Sequence, residues 1–144
     1  MITYEYPFNE RVRVYLRLEQ LFDRVFSLIE DTNVIEHHFA LTTLFEILDV
    51  GARADLKSDV MKDVERQKLT FINYRGNPSI AADALEEVIE RLQLCFDGLH
   101  AVTGRPGQNV ADIDWLTSVR QRTFIPGGTC EFDLPAYFAW KHMP

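Results

Sequence analysis

The chain reads as an all-α domain, a bundle of about five to six helices over residues 1–144. Three observations carry that reading. Apolar residues recur at helical spacing through most of the chain, the periodic stretches open on capping residues and close at Gly or Pro, and the one short extended run is Ile2 to Tyr6. With 144 residues, 47% of them hydrophobic and 26% charged, the sequence suits one globular domain with its own core. No apolar run approaches the length of a bilayer span, and Met1 to Tyr6 lacks the basic-then-apolar order of a secretory signal. A cytoplasmic protein without a membrane partner is expected.

Pro7 and Asn9 mark the start of the first helix, with Asn9 as its cap and Glu10 favourable in its first turn, and it should run to about Ile29. At 100° per residue, Tyr15, Leu18, Phe22, Val25, Phe26 and Ile29 share one wide apolar face that should meet the core. Asn33 followed by Glu36 has the form of a capping box for a second helix over about 34–50, with Gly51 as its left-handed terminator. Val34, Leu41, Leu44, Phe45 and Leu48 line one side, and Phe39, Ile47 and Val50 form a weaker stripe behind. A helix apolar on two sides belongs at the centre or at an interface.

A third helix is expected from Arg53 to about Tyr74, stopped by Gly76 and Pro78, with Leu56, Val60, Val64 and Phe71 facing inward. Its outer side, from Lys57 and Asp59 to Arg66 and Lys68, mixes both signs like an ordinary wet surface. From Ile80 to about Leu99 the series Leu85, Val88, Ile89, Leu92, Cys95, Phe96 and Leu99 predicts a fourth, strongly amphipathic helix. Gly104 to Asn109, with Arg105-Pro106-Gly107, reads as a loop. A fifth helix follows from about Asp112 to Arg122, with Arg120 and Arg122 in the last turn, where the helix dipole favours cations.

Pro126 and Gly127 then suit the two central positions of a type II turn, so the fifth helix must stop before them. Asp133, Leu134 and Pro135 make a start for a short sixth helix, with Asp133 placed to accept orphan N–H groups and Pro135 tolerated in the first turn. Between them, Phe124, Ile125 and Phe132 are large enough that the segment 126–132 is expected to be ordered, with these side chains buried against the helices.

Charge and motif content exclude several functions. A net charge of −7 argues against nucleic acid or an anionic membrane as the main partner. Yet 11 of the 15 basic residues are Arg, the residue that grips carboxylates through a planar fork. Arg13, Arg17, Gln20, Arg24 and Ser27 fall within roughly 80° of one another on the first helix, a narrow stripe without an acid in it. Two readings stand side by side: a solvated helix face, or a surface that receives an acidic peptide, joined by Arg120 and Arg122. Neighbouring His37 and His38 point 100° apart and cannot share a metal ion from one helix, so no metal is expected. Cys95 and Cys130 are too few for a disulfide framework and read as buried structural thiols. Gly127-Gly128 lacks the lysine and spacing of a phosphate loop, and no nucleophile motif surrounds either cysteine. No cofactor and no enzymatic activity are expected.

Three blocks carry a family resemblance. Tyr6-Pro7-Phe8-Asn9-Glu10-Arg11-Val12-Arg13 with Tyr15-Leu16-Arg17-Leu18-Glu19 opens the chain. Leu48-Asp49-Val50 and Glu65-Arg66-Gln67 follow, and Val119-Arg120-Gln121-Arg122, Ile125-Pro126-Gly127-Gly128, Phe132-Asp133-Leu134-Pro135 and Trp140 close it. In this order the blocks resemble the ZapD family of bacterial cell-division proteins along essentially the whole chain. The resemblance implies a homodimeric, non-enzymatic cytoplasmic protein at the division site that binds the acidic and apolar C-terminal tail of FtsZ and bundles its filaments. Chains of that family continue past the position matching Pro144 through a further helix into a β-rich domain, so it also implies the N-terminal helical part of that architecture. A helical nucleic-acid-binding or adaptor domain using the Arg13, Arg17 and Arg24 stripe is the alternative from another class, and an unseen enzyme site is the third.

Overall fold

A computed structural model describes residues 3–30, 33–104 and 107–143. Among them there are seven helices and no strand: α1 (Glu10–Ile29), α2 (Val34–Gly51), α3 (Leu56–Ile72), α4 (Ala82–Ala101), α5 (Gln108–Ala111), α6 (Asp114–Arg122) and α7 (Pro135–Lys141). Ile2 of the expected extended start, Asp31 and Thr32 of the break after the first helix, and Arg105 and Pro106 of the expected loop lie outside the described residues. The chain divides into two compact units, one of Met1–Ala52 with Arg105–Pro144 and the other of Arg53–Gly104.

The first unit is organised around α2. Asn9 and Asn33 cap α1 and α2 as their sequence positions predict, each accepting the backbone N–H two residues on, at 2.9 Å. The two helices pack along their lengths. Leu41 and Phe45 of α2 meet Leu116 and Val119 of α6, Leu134 and Tyr137, while Leu44, Leu48, Val110, Trp115 and Trp140 pack around them. Val119 and Tyr137 are almost wholly removed from solvent.

Two expectations for this pair of helices change. On α1 the buried residues are Val14 and Leu21, with Leu18 and Val25 half-buried, so the inward face is turned from the one the periodicity suggested. Phe22, Phe26 and Ile29 stay exposed because they lie on the flank of that line. Gly51 is the last residue of α2 and has no positive φ. The chain instead leaves the helix through Ala52 in an ordinary right-handed conformation, and its N–H returns to Leu48 O at 2.8 Å.

The expected fifth helix stands as α6, opening at Asp114 rather than Asp112, and the short α5 forms just ahead of it, over the end of the expected loop. Ile113 adopts extended angles (φ −103, ψ 105) between the single turn α5 and α6, so Asp112 ends one and Asp114 opens the other. Gly107, at φ +80, comes so close to α2 that an added Cβ would lie 2.6 Å from a Leu48 methyl.

The second unit is the hairpin of α3 and α4, which pack along their lengths. Leu85 and Ile89 are buried while Leu56, Val60, Val64 and Phe71 are half-buried, and Gly76 turns the connection at φ +82. Arg75 closes it from outside through a two-pronged contact with Glu86, both prongs at 2.7 Å. Lys68 departs from its expected outer position. It lies between the helices, donating to Gln93 Oε1 at 2.9 Å with its ammonium 5.4 Å from the Phe96 ring centre. Cys95 is exposed rather than buried, because the inward line of α4 runs through Leu85, Ile89, Leu92 and Phe96.

After α6 the chain turns as Pro126 and Gly127 predict: Gly127 takes φ +67, and Gly128 N–H donates to Ile125 O at 2.8 Å. The expected burial of the neighbouring side chains fails. Phe124 is 84% exposed, Ile125 53% and Phe132 86%, because the corner is held by backbone hydrogen bonds and by Gly128, which alone of its residues is buried. A Cβ at Gly128 would lie 2.7 Å from Arg122 O and 2.7 Å from Ile125 Cβ. Gly128→Ala should therefore cost about 1–3 kcal/mol in urea denaturation, and a loss below about 0.5 kcal/mol, the range of a neutral surface change, would contradict this close approach.

Candidate functional site

Each of the five arginines singled out by the sequence meets a carboxylate, and the partners sort them into three groups. Arg13 holds the segment before α1: its Nε donates to Pro7 O at 2.9 Å, Nη2 to the Tyr6 hydroxyl at 3.2 Å and Nη1 to Glu10 at 3.4 Å, with the guanidinium 5.1 Å from the Tyr6 ring centre. Arg17 reaches the same Glu10 from the next turn at 3.9 Å. Arg24, on the far half of α1, crosses to Glu46 of α2 at 3.6 Å. Arg120 of α6 pairs with Asp49 of α2 and sits 6.0 Å from the Phe45 ring centre. Arg122 pairs with Asp133 across the base of the corner at 3.1 Å.

Glu46 and Asp49 are three residues apart on α2 and so share a face, which brings Arg24 and Arg120 toward one site from two different helices. Arg13 and Arg17 sit toward the other end of α1, on the order of 10–16 Å along its axis from Arg24 at 1.5 Å per residue. Beside the acidic face of α2 runs a groove of about 650 Å³, bounded by Phe39, Phe45, Glu46, Asp49 and Arg120 on one side and by residues 123–127 and Thr129 on the other. Exposed Phe124, Ile125 and Pro126 make its second wall apolar. A groove with one apolar wall, with Arg120 beside Glu46 and Asp49 on the other and with Arg24 at its margin, offers an extended peptide apolar and charged contacts together.

His38 borders the groove, and its Nδ1 lies 2.5 Å from the Tyr137 hydroxyl. Partial burial, and after it the charge of Lys141, holds the imidazole below its usual 6.5, while burial pushes the Tyr137 phenol up to about 12. Both are neutral near pH 7. Asp133 does not cap α7, whose N-cap is Leu134; it turns to Arg122 and accepts from Cys130 Sγ at 3.3 Å. Partial burial and then that acidic neighbour raise the Cys130 thiol, which keeps it protonated and unreactive.

The family model ZapD, described as a cell division protein, matches residues 16–144. The chain belongs to the ZapD family. It is 56% identical over its full 144 residues to the cell division protein ZapD of Ralstonia pickettii and 56% identical to that of Ralstonia nicotianae. To ZapD of Cupriavidus taiwanensis it is 54% identical over the same length. In each case the chain spans 57% of the relative, a little over half its length. No helix among the described residues is long and apolar enough to cross a membrane.

Sequence reasoning missed Glu46, Asp49 and His38 as members of the candidate site. Asp49 stands inside one of the blocks that carry the family resemblance, and its three-residue spacing from Glu46 was readable as one helix face. Nothing local could have paired either acid with an arginine far away in sequence. The His38 pair yields a test. A native-state imidazole held below its unfolded value favours folding above about pH 6.5 and loses that advantage as pH falls toward the depressed value, because the unfolded chain then binds the proton more readily. Thermal melts from about pH 7.5 to 5 should show wild type losing more stability than His38→Gln on acidification, and parallel pH profiles would remove His38 as the cause.

Proposed function

We propose that the chain is a non-enzymatic cytoplasmic cell-division factor that binds the acidic and apolar C-terminal tail of FtsZ and, as a homodimer, cross-links FtsZ filaments at the division site. Membership of the ZapD family supports the division role. The single observation that carries the binding mode is the groove beside α2, where exposed Phe39, Phe124 and Ile125 adjoin Arg120. Tail carboxylates meet Arg120 and Arg24, with Arg17 extending the cationic line along α1, and tail apolar side chains lie on the corner. Arg13 and Arg122 support the site by holding the α1 entry and the corner base, as their contacts with Pro7, Tyr6 and Asp133 favour. Cross-linking requires two tail sites, which two copies of the chain supply. Exposed Phe22, Phe26, Ile29 and Ile35 are apolar surface available for such pairing.

Nucleic-acid binding fits less well, because every arginine of the stripe already faces an acid and the net charge is −7.

Co-sedimentation with polymerised FtsZ, with and without its C-terminal tail, tests the partner. The chain should pellet only with tailed filaments; equal pelleting with tailless ones would overturn the reading. Isothermal titration with a tail peptide tests the residues. Arg120→Ala and Arg24→Ala should each weaken binding about 10-fold, at the low end of what a charged hydrogen bond contributes. Arg120→Lys should recover part of the loss, since lysine keeps the charge without the fork.

A further inference from the structure

Resting on the reading of the groove as the tail site, we propose that Glu46 and Asp49 are built-in competitors for the peptide's carboxylates, so that each binding event displaces an internal acid from Arg24 and Arg120. Both internal pairs are wet. The side chains of Arg24 and Glu46 are 47% and 56% exposed, and those of Arg120 and Asp49 37% and 56%. An exposed pair of this kind biases an equilibrium by only about 1.5- to 5-fold, so the internal acids lower the affinity for an incoming carboxylate without blocking it.

The placement favours exchange over simple surface pairing. Glu46 and Asp49 both line the groove, so a peptide seated there would put its negative charge beside theirs, and the same two acids occupy Arg120, which lines the groove, and Arg24, which reaches its margin at Glu46. Arg120 has a second hold on its position, the Phe45 ring 6.0 Å away, which keeps the guanidinium at the groove when Asp49 lets go. The acids also select among ligands. A groove with its arginines internally neutralised offers little field to a polyanion and releases a single tail readily.

The test is isothermal titration of an FtsZ C-terminal tail peptide into wild type, Glu46→Gln, Asp49→Asn and the double variant. Each single change keeps the side-chain size and removes the charge. Each should tighten binding about 2- to 5-fold, the double variant more than either, and Arg120→Ala placed in the Asp49→Asn background should abolish that gain. Binding that appears only in the neutralised variants supports the competition as well. If wild type binds and the neutralised variants bind no more tightly, the competition is overturned and the groove stands as the tail site. If none of the proteins binds, the double variant included, both readings fall.

Discussion

The burial of Tyr137 is the constraint on which the first unit depends. The residue is 1% exposed and packs with Leu41 and Phe45 of α2, Leu116 and Val119 of α6, and Leu134 at the entry to its own helix. Its ring stacks at 6.2 Å on Trp115 and at 5.8 Å on Trp140. Its hydroxyl, which would be costly to bury alone, finds His38. A helix of seven residues such as α7 is far too short to persist by its own hydrogen bonds, so α7 exists because this side chain fixes it to α2 and α6. His38 must stay in place for the same reason, which ties one border of the groove to the core.

Fixing both ends of the corner explains why its aromatic residues face water. Upstream, Val119 is fully buried; downstream, Leu134 is 6% exposed, so the span between them is held by its anchors. The Pro126-Gly127 turn and the Arg122 to Asp133 pair then close the loop with polar contacts alone. Phe124 and Phe132 are left outward on a backbone that has already lost much of its freedom. Large apolar groups on a fixed mount bind with less ordering cost than the same groups on a loose loop, a condition for acting as recognition anchors.

The helices were legible in the sequence because caps and periodicity are local. Asn9, Asn33 and Gly76 act close to where their chemistry placed them, and Gly127 takes the positive φ its turn required. What was illegible depended on contacts distant in sequence. The apolar flank of α1 was read as one face, but the packing partner selects Val14 and Leu21 and leaves Phe22 and Phe26 outside. Asp133 had the composition of a cap, and Arg122, eleven positions earlier, outcompeted the helix end for it. At the site, the arginines of α1 were visible as a stripe and Glu10, which meets Arg13 and Arg17, lies on the same helix, whereas the pairing of Arg24 with Glu46 and of Arg120 with Asp49 arises only when α1 and α6 both lie against α2.

The location of the groove bears on how much of the family's function this chain can hold by itself. Every residue lining it comes from α2, from α6 or from the corner between α6 and α7, and all of these belong to the same compact unit. Cross-linking is different in kind. On the proposed reading one groove holds one peptide, and joining two filaments needs a second groove at a fixed distance, a property of how copies associate rather than of how one copy folds. On the proposed reading, tail capture and filament bundling are separable in physical origin, the first resting on a core anchored on Tyr137 and the second on whatever surface brings two such cores together.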